Sequence, residues 1–254
     1  MFMFSCKYDY LVTPDDGGPA TFKYAQEQKN AGFYFSGTWC GPCGLYGKPA
    51  LENMSAKYGD NFVWISSQLI DPFSNADANA LAIAFGVTAV PTIFVSSNGD
   101  PFQNAWGGTA MESTLDSFLT SGVIKTPTAN IGINYTISDG AITGIAEVEY
   151  FEDSDKEFFV GLYMIENNLL ERQYVTNTGW VDSTSFYNIL RMKLSNSVTG
   201  DPLPIETKTK GKIDVVIFGD FLQSSWQTEN LKVIAVLWTK NSTGELTAVN
   251  ATIK

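Results

Sequence analysis

The stretch Trp39-Cys40-Gly41-Pro42-Cys43 constrains this chain more than any other, because it follows a short apolar run and precedes a helical pattern. Two cysteines at this spacing are able to close a small disulfide ring, and if Cys40 begins a helix, Cys43 lies one turn later with its sulfur near the first. The positive end of the helix dipole and the unpaired N–H groups there favour a thiolate, which lowers the pKa of the Cys40 thiol. Gly41 lets another backbone approach, and Pro42 presets a helical φ in the first turn. The pattern therefore predicts a nucleophile, Cys40, and a resolving thiol, Cys43.

Zinc sites use the same C-x-x-C spacing, so the remaining residues have to decide the chemistry. A structural zinc ion takes four ligands from Cys, His or carboxylate side chains. The chain has three cysteines and no histidine, which argues against a metal site and against Ser-His-Asp or Cys-His catalysis. On the residues alone, a redox-active dithiol and an inert structural disulfide both stay open.

Charge and hydropathy limit the partners. The formal net charge of −11 argues against nucleic acid and against an anionic membrane surface as direct partners, and we attribute it to solubility. No apolar run approaches the length of a membrane span. We therefore expect contact with a membrane only through a lipid anchor.

The candidate anchor is Cys6, which follows the apolar run Met1-Phe2-Met3-Phe4 and the small residue Ser5. This order resembles the end of a bacterial lipoprotein signal, whose cysteine is lipidated after cleavage. If synthesis starts upstream of Met1, we expect Cys6 to carry a lipid; otherwise Cys6 is a spare thiol.

Periodicity divides the chain into three parts: a tether at residues 1–20, an α/β domain at 21–125 and a β domain at 126–254. In the second part, a strand–helix–strand crossover predicts parallel strands, and Pro49 should kink the helix after Cys43. A hairpin and a final amphipathic helix follow. In the third part, short alternating segments without helical stripes predict an all-β antiparallel sandwich of jelly-roll type. The predicted strands there are 131–137, 143–151, 156–165, 171–175, 186–194, 211–218, 231–238 and 246–253.

Two segments resemble signatures of the thioredoxin family. Residues 33–43 (FYFSGTWCGPC) resemble the strand that runs into the dithiol, and residues 86–95 (GVTAVPTIFV) resemble the cis-proline before the next strand. The resemblance covers about residues 20–122. It implies a thioredoxin-like α/β fold (βαβ plus ββα), a redox-active Cys40–Cys43 disulfide with no other cofactor, and protein thiols and disulfides as partners. It further assigns substrate contacts to Trp39, Gly41, Pro42, Val90 and Pro91, with the Val90 backbone pairing with an extended substrate segment.

A second resemblance concerns the whole chain. The chain is similar to the Omp28-related proteins of Bacteroidetes envelopes. The similarity lies in the segment 36–44, the β-rich C-terminal half, residues 186–191 (FYNILR) and Trp226. This implies a place in the periplasm or outer membrane, with the cytoplasm as the alternative. One interpretation is an envelope disulfide oxidoreductase whose β domain docks a partner. The rival is an Omp28-like surface-binding or structural lipoprotein in which the disulfide is only a staple. A third interpretation is a structural component of a larger assembly.

Two positions depart from the thioredoxin pattern. Thioredoxins carry a buried acid six residues before the first cysteine, where this chain has Tyr34, and commonly a lysine after the second cysteine, where it has Gly44. In the family this acid helps to deprotonate the second thiol, so proton transfer to and from Cys43 must here use water or another group. We expect slower or pH-shifted resolution of the mixed disulfide, and no loss of nucleophilicity at Cys40. Elsewhere, Arg172 and Arg191 are able to bind a carboxylate or a carbonyl at a sheet edge.

Overall fold

The computed structural model describes residues 26–204 and 206–254. The tether at residues 1–20, the anchor at Cys6 and the start of the α/β domain therefore lie outside the described residues. Residues 26–29 are irregular and Asn30 already begins the first strand.

The N-terminal half has the predicted thioredoxin-like order of a βαβ unit followed by a ββα unit. Its first strand is buried along its whole length, which explains its continuous apolar run. The first two strands are parallel, and the third and fourth pair antiparallel to their neighbours. The elements are β1 (Asn30–Ser36), α1 (Lys48–Tyr58), β2 (Phe62–Gln68), α2 (Ala76–Ala84), β3 (Thr92–Ser96), β4 (Gln103–Trp106) and α3 (Met111–Val123).

The helix after the dithiol is interrupted at the position that Pro49 predicts. Proline has no N–H to donate to the carbonyl four residues earlier. Residues Cys43–Gly47 form a π-helical turn, in which the Lys48 N–H donates to the Cys43 carbonyl, and α1 begins only after it. Cys43 therefore starts a widened turn, an irregularity often found at functional sites.

The C-terminal half is built from antiparallel strands, as predicted. A three-stranded sheet has the order β12-β6-β5, and β8 and β9 form a separate hairpin. Within the described residues, no helix combines the length and apolarity required to cross a membrane. The strands are β5 (Ala129–Ser138), β6 (Ala141–Tyr150), β7 (Phe158–Glu166), β8 (Leu169–Val175), β9 (Gly179–Phe186), β10 (Ile189–Lys193), β11 (Asp201–Pro202), β12 (Ile213–Phe221), β13 (Leu231–Lys240) and β14 (Leu246–Ile253).

The two halves share one sheet. Its order is β14-β13-β7-β10-β2-β1-β3-β4, with β11 paired to β7, so the C-terminal strands extend the thioredoxin-like sheet. The join is a parallel contact between Ile189 and Ser66, where the Ser66 N–H donates to the Asn188 carbonyl at 2.8 Å. The boundary predicted at residue 125 falls between α3 and β5, and beyond it the chain returns to the same sheet.

Two of the four apolar clusters in the described residues show how this arrangement is held. One lies between the three-stranded sheet and β7 and β13, which makes the C-terminal half a sandwich. The other spans both halves: the ring of Phe33 on β1 lies 5.1 Å from Trp238 on β13 and 6.2 Å from Tyr163 on β7, centroid to centroid. Aromatic packing of this kind stabilises beyond the area it buries, so the halves are coupled energetically.

A buried ion pair lies near the join. Glu166 at the end of β7 is 1% exposed, and its Oε2 accepts from the Arg191 Nε at 2.7 Å. Its Oε1 accepts from the Gln227 N–H at 2.9 Å, and the Arg191 guanidinium lies 5.6 Å above the Trp226 ring. Arg191 thus binds a carboxylate, one of the two partners that the sequence left open.

We expect Arg191→Met to lower the free energy of unfolding by roughly 3 kcal/mol, because it leaves the Glu166 charge buried without its cation. Urea denaturation measures the loss. Arg172→Met is the matched control, since that guanidinium stacks on the half-exposed Trp180 ring at 4.3 Å and should contribute less than about 1 kcal/mol. Equal losses in the two variants would contradict a special role for the buried pair.

Candidate active site

The two cysteines of the C-x-x-C stretch form a disulfide in the turn between β1 and the following helix. The S–S distance is 2.09 Å and the Cα atoms lie 5.2 Å apart. The Cys40 N–H donates to the Gly37 carbonyl at 3.0 Å, which closes the turn. The Cys43 N–H points at the Cys40 sulfur at 3.2 Å. Once the disulfide is reduced, this backbone donor stabilises a thiolate on Cys40 over the thiol.

Both cysteines are buried, with Cys40 3% and Cys43 1% exposed. Neither belongs to an apolar core of the described chain. Two polar backbone groups approach the Cys40 sulfur: the Cys43 N–H at 3.2 Å and the Val90 carbonyl oxygen at 3.7 Å. Next to the buried cysteines along the chain, Trp39 and Pro42 are exposed.

The Val90–Pro91 peptide is cis, and Pro91 begins the turn into β3 beside the dithiol. The Gly107 N–H donates to the Pro91 carbonyl at 3.2 Å. A Cβ built on Gly107 would lie 2.7 Å from the Pro91 ring and 3.7 Å from Pro42, so only glycine lets this segment approach. Cys40, Pro42, Val90 and Pro91 are thus brought together, while their roles in binding substrate stay predictions.

The Trp39 ring is 45% exposed, and its indole N–H donates to the Leu69 carbonyl at 2.8 Å. Ile70, which follows Leu69, is 84% exposed and has φ +57°, a conformation that a β-branched residue rarely adopts. Sequence reasoning missed Ile70, because an isolated isoleucine in an irregular segment carries no sign of exposure or strain.

Asp71 ties this segment to the dithiol loop. Its Oδ2 accepts from the Thr38 N–H at 2.9 Å, and its Oδ1 accepts from the Phe73 N–H at 2.9 Å. Burial raises the pKa of the Asp71 carboxyl above its ordinary value, and these hydrogen bonds oppose the rise. The carboxylate supports the loop from the side of β2.

Tyr34, at the position of the family's buried acid, supplies no base. Its side chain is 4% exposed, and burial raises the pKa of the phenol far above its ordinary value, so the group stays neutral. A cavity of about 20 Å³ lies beside it, large enough for one water. Ser36, Gln68, Gln173 and the charged residues Lys48 and Glu52 also line it, and the buried Gln68 Oε1 finds no hydrogen-bond partner among the described residues. A neutral phenol therefore stands where the family pattern has an acid, and the route of proton transfer to and from Cys43 stays a prediction.

The strand β8 of the C-terminal half packs directly on the dithiol loop. The Tyr174 N–H donates to the Thr38 carbonyl at 2.7 Å, and the Thr176 N–H donates to the Gly41 carbonyl at 3.3 Å. Between them, the Gln173 Nε2 donates to the Cys40 carbonyl at 3.0 Å. Nothing in the sequence predicted this contact, because backbone donors carry no residue signature.

This contact explains the glycine that departs from the thioredoxin pattern. A Cβ on Gly44 would lie 2.7 Å from the Tyr174 carbonyl oxygen and 2.9 Å from the side chains of Gln173 and Val175. A Cβ on Gly41 would lie 2.5 Å from the Thr176 hydroxyl. The loop therefore carries glycine where another strand approaches, and the glycine at position 44 was the available signal for that strand.

Comparisons with known proteins agree with this geometry. Residues 20–121 match the Thioredoxin family. Probable thioredoxin-2 of Caenorhabditis elegans is 31% identical over 85 residues, which are 34% of this chain and 53% of that protein. The mitochondrial thioredoxin of Mus musculus is 36% identical over 85 residues, 34% of this chain and 46% of that protein. The chain thus spans about half the length of these relatives.

Among solved structures, HBP35 of Porphyromonas gingivalis is similar with a TM-score of 0.68 at 18% identity, and the match covers 91% of this chain and 76% of that one. At this identity the likeness concerns the fold alone, and it extends through the C-terminal half. The chain therefore combines a thioredoxin-like fold, in the region that matches the Thioredoxin family, with an antiparallel β region.

We expect Gly44→Ala to lower the free energy of unfolding by about 1 kcal/mol. At an unobstructed helical position the same change would stabilise by about 1 kcal/mol, but the clash with β8 costs about 1–3 kcal/mol. Thermal or urea unfolding gives the sign. Ser117→Ala on the exposed face of α3 is the control and should be neutral or slightly stabilising. A stabilised Gly44→Ala protein would show that β8 leaves room at the loop.

Proposed function

We propose that the protein is a thiol–disulfide oxidoreductase that acts on protein disulfides through Cys40 and Cys43. The observation that carries the proposal is the setting of the Cys40 sulfur, which has the Cys43 N–H at 3.2 Å and the Val90 carbonyl of the cis-proline turn at 3.7 Å. The first group favours the thiolate, and the second offers a backbone beside which an extended substrate can pair. The match of residues 20–121 to the Thioredoxin family supports the same reaction.

The reaction is an exchange of bonds. The Cys40 thiolate attacks one sulfur of the substrate disulfide, so that a mixed disulfide forms and the other substrate sulfur leaves as a thiolate that takes up a proton. Cys43 then loses its proton and attacks the Cys40 sulfur, which restores the Cys40–Cys43 disulfide and releases the second substrate thiol. Two electrons pass to the substrate, and an external dithiol must return them. Gly41 and Pro42 between the cysteines are similar to those of reductases, so we propose this direction.

Trapping experiments test this reaction. Cys43→Ser should accumulate a mixed disulfide with an exposed protein disulfide such as that of insulin, because the resolving sulfur is gone. Cys40→Ser should form no such adduct, since it removes the sulfur that attacks the substrate disulfide. Non-reducing electrophoresis and mass spectrometry detect the adduct. The absence of any adduct with Cys43→Ser would contradict the proposal.

The second candidate function is a surface or structural protein in which the disulfide is a staple. The observation that favours it is the burial of both cysteines, at 3% and 1% exposure. Equilibration with thiol redox buffers separates the two functions. A potential near those of reducing thioredoxins supports the enzyme, and a very low potential with slow reduction supports the staple.

We also propose that the protein resides in the cell envelope, held by a lipid on Cys6, with the C-terminal half docking a partner. The support is the order of residues 1–6 and the resemblance to Omp28-related proteins. In its source cells, the protein should incorporate a tagged fatty acid and sediment with membranes, and Cys6→Ser should abolish both. An unlabelled protein in the soluble fraction would overturn this proposal without touching the redox reaction.

A further inference from the structure

Gln173 is buried where it meets the dithiol loop. The residue is 2% exposed, and its carboxamide Nε2 has three carbonyl acceptors: the Cys40 oxygen at 3.0 Å, the Tyr174 oxygen at 2.8 Å and the Gly37 oxygen at 3.5 Å. The bond to Cys40 joins residues that are 133 positions apart. This buried donor acts together with the Gly44 N–H, which donates to the same Cys40 carbonyl at 3.2 Å. The two donors hold the Cys40 peptide in one orientation, because turning the peptide would leave polar groups unpaired.

The neighbouring peptides are held by the same strand. The Tyr174 N–H of β8 donates to the Thr38 carbonyl, and the N–H of Thr176, the residue after β8, donates to the Gly41 carbonyl. This segment therefore contacts the loop on both sides of Cys40. The peptides of Cys40 and Gly41 lie between the Cys40 sulfur and the Cys43 N–H, which points at that sulfur at 3.2 Å. A rotation of the Cys40 or Gly41 peptide would redirect the helix start that carries this N–H.

We propose that Gln173 is a positioning residue for the dithiol: the C-terminal half delivers it on β8 to fix the Cys40 peptide, which keeps the Cys43 N–H directed at the Cys40 sulfur. This inference rests on the proposed redox function and adds to it a residue outside the thioredoxin-like half. A strand that lies far along the chain thereby supplies a hydrogen-bond donor to the helix start that carries the dithiol.

The charged and titratable groups around the loop are few and stay constant in the test. Asp71 approaches from the segment after β2, Lys48 and Glu52 of α1 line the cavity beside Gln173, and Tyr34 of β1 faces the same cavity. On β8 itself, Arg172 stacks over Trp180. None of them is altered by a substitution at Gln173, so a change in the behaviour of Cys40 reports on the lost donor.

The test substitutes Gln173→Met, which keeps the length of the side chain and removes its donor. Iodoacetamide alkylation of Cys40 is followed against pH in a Cys43→Ser background, with peptide mass spectrometry. We expect the pH midpoint to rise by about 0.5–1 unit and alkylation at a pH below the midpoint to slow by about 3- to 10-fold. With both cysteines present, the reduction potential should become more negative, because the reduced form loses stabilisation.

Thr184→Val is the matched control, since it removes a hydrogen bond to the Val181 carbonyl within the β8–β9 hairpin and away from the loop. It should leave the pH midpoint and the potential unchanged. A Gln173→Met protein that unfolds more easily but keeps both wild-type values would overturn the proposal and leave Gln173 a structural residue. If Gln173→Met does not fold, Gly44→Ala takes its place, because it displaces β8 from the loop and should raise the midpoint in the same direction.

The outcomes also separate this inference from the proposed function. An ordinary thiol profile for Cys40 in the wild-type protein, with no reduction of a protein disulfide, would remove the redox function itself. If the pH midpoint of Cys40 alkylation is low in the wild type and equally low in Gln173→Met and Gly44→Ala, the redox function stands and only the positioning role of Gln173 is overturned.

Discussion

The parallel contact between β10 and β2 determines how the rest of this molecule is arranged. It joins the C-terminal strands to the thioredoxin-like sheet, so that nine strands form one surface. The β8–β9 hairpin connects β7 to β10, the two strands next to this join along the sheet. Because β10 lies beside β2, and β2 beside β1, the hairpin is carried to the loop that follows β1. The position of β8 over the dithiol therefore follows from the way the halves are joined.

The local chemistry of the site is that of a helix start. The turn after β1, the N–H of Cys43 and the cis-proline turn come from residues close to one another in sequence or from a single crossover. The appended half acts on this core through backbone and carboxamide donors. Cores that span both halves, such as the rings of Phe33 and Trp238, keep the strand in place. The dithiol loop and the C-terminal half are thus linked through hydrogen bonds of ordinary length.

Much of the N-terminal half could be predicted because its signals are local. The apolar run before Cys40, the proline at position 49 and the hairpin after β3 each act over a few residues. In the C-terminal half, alternation predicted most of the strands, but β9 was missed because its residues are polar and largely exposed. The continuous sheet and the contact of Gln173 with Cys40 could not be predicted, since neither depends on a periodic pattern. Tyr34 and Gly44 were visible as departures from a family pattern, and only the structure gives the reason for Gly44.

The close approach of β8 to Gly44 limits which substitutions this chain can accumulate during evolution. A larger residue at this position pushes against the strand carrying Tyr174, and a shift of that strand removes one of the two donors to the Cys40 carbonyl, the other being the Gly44 N–H at 3.2 Å. We therefore expect residues larger than alanine at position 44 to occur together with substitutions in β8. Among descendants of a common ancestor, the identity of residue 44 should record whether the hairpin still rests on the loop.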